Sequence, residues 1–235
     1  MIRGQINPAC ISNLERSNMT TLISSCRWRF FQGQGYLIIE SLWSAQRLEY
    51  LRQALEERYL AEGPLAGSEG ADIQGVRRLC NLFSKGHPFE ELAVEPLFLA
   101  AACRAIGDDY RWQAMNFHDP IPGDPRSYQP IHADRSFFSD CKAYLNVVLA
   151  IDAMTIENGA TRLVPGSHKG PFPKELLADL KETVAGQIYA VCPASSVILL
   201  HGDVPAPISQ NRLGESSIWA MPAPPPRRNM ISLVQ

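Results

Sequence analysis

A β-sandwich or jelly roll backed by helices near the N-terminus is the fold class this sequence predicts, and three observations predict it. Up to Gly107 the apolar residues recur mainly at helical spacing, whereas beyond it they fall in short β-leaning segments separated by turn residues. Helices first and strands afterwards is the order of a sheet protein whose helices gather on one side. The size agrees, because 235 residues with 46% apolar content suit one undivided domain with a packed core.

Residues 1–27 contain Arg3 and Arg16 among several serines and no continuous apolar run. They read as a poorly ordered extension ahead of a single domain over 28–235. "FFQGQGYLIIESLW" opens as an apolar, β-rich run and hands over to a helix. Ser44 is its N-cap, Leu48, Leu51, Leu55 and Tyr59 form its apolar stripe, and Gly63-Pro64 ends it. A glycine-rich loop, "GPLAGSEGADIQG", follows and lacks the lysine of a phosphate loop. The next helix opens at Pro96, a residue favoured in the first turn, and stops at Gly107.

Five strands then follow: "RWQAMNF", "AYLNVVLAID", "ATRLVPG", "GQIYAVC" and "SSVILLHG". In the second, Tyr144, Asn146, Val148 and Ala150 face one way while Leu145, Val147, Leu149 and Ile151 face the other. Turns are marked by Pro120 to Pro125, Glu157-Asn158-Gly159 and Pro165-Gly166. Pro222 to Pro226 lie where a final strand should pair, and proline, lacking an N–H, belongs at sheet edges.

Composition removes several function classes. A formal net charge of −2 with no Lys/Arg stripe gives no footprint for nucleic acid. No run approaches the roughly eighteen apolar residues of a membrane-spanning helix. The six cysteines are scattered without a C-x-x-C pair, which argues against a disulfide framework or zinc knuckle and for a reduced, cytoplasmic setting. Cys141 and Cys192 have no catalytic histidine at a recognised spacing and read as ordinary core or surface cysteines.

The chemistry centres on His132-x-Asp134. Residues i and i+2 of an extended chain share a face, so this imidazole and carboxylate can converge on one divalent ion. Alone the motif is weak, the bland alternative being a surface histidine beside a solvated aspartate. It is followed, however, by Glu157-Asn158-Gly159-Ala160-Thr161 and Val164-Pro165-Gly166-Ser167-His168. The combination resembles the phytanoyl-CoA dioxygenase family over roughly residues 29–215.

That resemblance implies a double-stranded β-helix (a cupin-like jelly roll) and an iron(II)/2-oxoglutarate-dependent dioxygenase acting on a small organic substrate. In such a site two histidines and one carboxylate occupy one face of iron(II), leaving positions for the co-substrate and O₂. An arginine pairs with the far carboxylate of 2-oxoglutarate. His132 and Asp134 match two of the metal ligands. Met115, on the strand ahead of the motif, is expected to flank the co-substrate, and His168 to serve its local turn. Tyr110, Trp112, Phe117, Phe137 and Phe138 either line an apolar substrate pocket or belong to the core.

The last part of the pattern departs from the family. In "LLHGDVPAPISQN", Leu199-Leu200-His201-Gly202 and Asn211 fall in register, but Ala206 occupies the slot of the remaining metal histidine. The co-substrate arginine would fall at about Ser217. Two readings stay open. In one, His201 is the third ligand and Arg212 the carboxylate clamp, eleven residues apart. Against it, a five-residue shift along an extended strand reverses the face and moves the ring by ~16 Å. In the other, the pocket survives without full iron chemistry, as a small-molecule binding protein or a non-oxidative isomerase or cyclase.

Overall fold

The structure is a computed structural model. It describes residues 23–70, 74–107, 110–122, 124, 126, 132–133, 143–170, 184–205 and, for the backbone, 217–223. Among the described residues four α-helices and eight strands are defined. They are α1 (Ser25–Gln34), β1 (Tyr36–Ile39), α2 (Ala45–Glu62), β2 (Val76–Leu79), α3 (His87–Ala93), α4 (Pro96–Ile106), β3 (Arg111–Pro120), β4 (Leu145–Ala150), β5 (Arg162–Leu163), β6 (Ile188–Tyr189), β7 (Val197–His201) and β8 (Ser217–Ala223).

The helix starts follow capping chemistry. Ser44 Oγ accepts the Arg47 backbone N–H at 3.3 Å, as its N-cap role predicts, and Leu48, Leu51 and Leu55 are buried. Each of these leucines removed from water contributes about 1.5–3 kcal/mol. Pro96 opens α4 and Gly107 closes it. Two helices were not expected. Phe30 and Phe31 belong to α1, not to a strand, and the extended run begins only at Tyr36. Ser24 caps α1, and Trp28 and Phe31 stack at 4.7 Å inside the core. Aromatic residues bias a short window toward β structure, and here burial against the sheet overrides that bias. Ser24 to Arg27, read from the sequence as part of the extension, belong to this capped helix. The other unexpected helix is the short α3, opened by His87-Pro88.

Six strands form one antiparallel sheet in the order β1-β7-β4-β8-β3-β2, and β5 pairs with β6 in a second, small sheet. Strand β4 is buried on both sides. Leu145, Val147 and Leu149, with Val197 and Leu199 of β7 and Met115 and Phe117 of β3, pack in one cluster with the helices. Val148 and Ala150, with Ile198 and Leu200, pack in a second cluster that includes Leu163 and Ala190 from around the small sheet. The large sheet therefore has a helix side and an inner side.

The proline-containing final strand also forms, contrary to the expectation that proline would keep it from pairing. β8 is central between β3 and β4, yet β4 pairs only with its first four residues, from Ser217 to Ala220. Pro222 lies beyond that ladder, opposite Trp112 and beside the bulge at Trp112/Ala114 in β3. A missing N–H is tolerated at such an irregularity. No described helix is long and apolar enough to cross a membrane.

Candidate active site

Strand alternation divides the polar residues between the two sides of the sheet. On β3, Met115 and Phe117 enter the helix-side core, so Asn116 and His118 lie on the inner side. Asn146 does the same on β4 and is fully buried. On β2, Leu79 is in the helix-side core and Arg77 reaches the helix α2 through Glu56, so Arg78 belongs to the inner side. Cross-strand pairing agrees, because Arg78 stands directly opposite His118. The inner side is thus apolar toward β1, β7 and β4, where the small sheet covers it, and polar toward β3 and β2.

His118 is buried, and burial pushes its imidazole pKa down to about 3, with the Arg78 charge acting in the same direction. It is a neutral donor–acceptor at neutral pH. Asn116 Oδ1 accepts the backbone N–H of Asn81 at 3.2 Å, tying β3 to the turn that follows β2. Cys80, two residues after Arg78, is buried under Gly67 and Gly70, and burial raises its thiol pKa.

His132 lies among the described residues and is half-buried, whereas Asp134, Ala206 and Arg212 lie outside them. Among the described residues no group of three His, Cys, Asp or Glu is arranged to hold a metal.

His201 is placed away from the inner side. It ends β7 in alternation with Val197 and Leu199, and its cross-strand partner Leu145 is in the helix-side core. Its ring lies 6.4 Å from Phe31 of α1 and 4.9 Å from the ring of His168. Its Nδ1 accepts the Asp203 backbone N–H at 3.3 Å. These contacts place the His201 ring on the helix side of β7.

Met115, expected to flank the co-substrate, is fully buried in the helix-side cluster. Trp112 and Phe117 likewise belong to the helix-side packing, Trp112 donating its indole N–H to the Ala93 carbonyl at 3.0 Å. His168, expected to serve its local turn, instead donates its Nε2–H to the Gln32 carbonyl of α1 at 3.1 Å.

The polar inner residues Arg78, Asn116 and His118 were not found from the sequence. Asn116 and His118 were legible in principle, since "MNFHD" alternates apolar and polar. Arg78 sits in "VRRL", too short for its period to be read.

A concavity of about 360 Å³ lies on the helix side, against α2. Its charges are matched within the wall. Arg52 pairs with Glu49 and Asp152, and Arg77 with Glu56 and Asp119. This arrangement stitches α2 to the sheet.

Comparison with known proteins fits this geometry. The iron/alpha-ketoglutarate-dependent dioxygenase penM of Penicillium thymicola is 28% identical over 163 residues, covering 61% of this chain and 51% of that protein. The chain thus spans about half the length of this curated relative. Among solved structures, the non-heme alpha ketoglutarate dependent carbocyclase SnoK from nogalamycin biosynthesis superposes with a TM-score of 0.70 at 20% identity, over 86% of this chain and 84% of SnoK. HygX from Streptomyces hygroscopicus, solved with nickel, 2-oxoglutarate and hygromycin B, gives 0.71 at 14% identity over 86% and 87%. EctD from S. alaskensis, solved with 2-oxoglutarate and 5-hydroxyectoine, gives 0.73 at 17% over 86% and 76%. At these identities the structural likenesses speak for the fold. The profile of the phytanoyl-CoA dioxygenase family matches residues 31–205, about three quarters of the sequence and including both His132-x-Asp134 and the Pro165-Gly166-Ser167-His168 turn. The chain belongs to the phytanoyl-CoA dioxygenase family.

Proposed function

We propose that the protein is an iron(II)/2-oxoglutarate-dependent dioxygenase that oxidises a small organic molecule on a single double-stranded β-helix domain. The observation that carries this reading is the family match across the H-x-D and PGSH segments, on a sheet whose inner side is polar at β3 and β2 and buries His118. The donor chemistry suits the metal. One imidazole and one carboxylate, His132 and Asp134, are ligands that iron(II) accepts, and both belong to the family's facial set. When bound, the iron with its co-substrate and O₂ would supply the power to oxidise an unactivated C–H bond.

With alanine at position 206 and His201 on the helix side, the protein contributes two ligands, not three. More positions then fall to water and to the keto-acid end of 2-oxoglutarate, so metal and co-substrate should bind cooperatively. A small-molecule substrate is supported by the ligands with which HygX and EctD were solved. The six cysteines are scattered without a C-x-x-C pair, which supports a reduced, cytoplasmic setting.

Anaerobic calorimetric titration with manganese(II) or iron(II), with and without 2-oxoglutarate, tests the proposal. Binding that tightens with the co-substrate and disappears in His132→Ala is expected. A folded protein that takes up no metal under either condition would overturn it. That outcome would favour a second reading, suggested by Ala206 and Ser217: a small-molecule binding protein or non-oxidative isomerase or cyclase on the same fold.

A further inference from the structure

We draw no further inference here: the strongest candidate, the concavity of about 360 Å³ between α2 and the end of β3, is walled by Arg52, Arg77 and the carboxylates they pair with, and nothing among the described residues shows what would occupy it.

Discussion

Replacing Lys85 with methionine should destabilise the protein through the charges it leaves behind. The Lys85 side chain is 8% exposed, and its Nζ lies 2.5 Å from Glu62 Oε1 and 2.7 Å from Glu69 Oε1. Methionine keeps much of the volume but leaves two carboxylates with no ammonium between them. Removing one partner of a buried ion pair costs about 3–5 kcal/mol. The Glu62 and Glu69 side chains are 18% and 40% exposed, so water recovers part of this and about 2–3 kcal/mol remains. For a chain of this size that corresponds to a fall in Tm of roughly 4–12 °C.

Burial alone would raise the Glu69 pKa, but the Lys85 hydrogen bond, a backbone hydrogen bond and the charges of Lys85 and Arg78 together hold the carboxyl below its ordinary range. A depressed folded-state pKa contributes stability above the unfolded value and loses it as pH falls through the folded one. The gap between wild type and variant should therefore narrow in acid. Urea unfolding at neutral and acid pH measures it, alongside the triple variant Lys85→Met/Glu62→Gln/Glu69→Gln, which should regain most of the loss. A single variant within about 0.5 kcal/mol of wild type, or a triple variant no better than the single one, would refute the reasoning.

Three further outcomes are expected. His201→Ala should leave manganese(II) affinity within about twofold of wild type, well under the ~10-fold that loss even of a ligand's supporting contact brings; a loss matching that of His132→Ala would return His201 to the ligand set. His118 is buried neutral with its pKa lowered from 6.5 to about 3, so its contribution to stability is complete above 6.5 and is lost as pH falls toward 3. His118→Gln should remove that dependence, up to ~1.4 kcal/mol per pH unit, and identical unfolding curves at pH 7.5 and 5 for both proteins, relative to one another, would contradict it. Gly67→Ala meets a φ of +77° and places a Cβ 2.9 Å from the Arg78 Cβ and carbonyl oxygen. It should cost roughly 1–3 kcal/mol from backbone strain alone, as urea unfolding will show, and a variant as stable as wild type would contradict it.

Much of the scaffold was legible because it depends on local chemistry. The Ser44 cap, the leucine stripe of α2 and the Pro96-to-Gly107 helix are written in consecutive residues, and each forms as read. The failures have a common cause: the deciding interaction is distant in sequence. Phe30 and Phe31 are helical because Trp28 and Phe31 pack under the sheet. Pro222 fits a central strand because β4 ends short of it and β3 bulges opposite. For the site, the motif gives His132-x-Asp134, but the polar row of Arg78 and His118 exists only once β2, β3, β8 and β4 are laid side by side. Strand parity alone was enough to disfavour His201, and the Leu145 pairing fixes its side.

Strand β4 has a consequence for how this chain can vary. Its consecutive residues serve two compartments, Leu145, Val147 and Leu149 the helices and Asn146, Val148 and Ala150 the interior. Conservative exchange at any one position disturbs a single compartment, whereas gain or loss of one residue would transpose them all and drive the Asn146 amide into hydrocarbon. The segment should thus accept changes in spelling far more readily than changes in length.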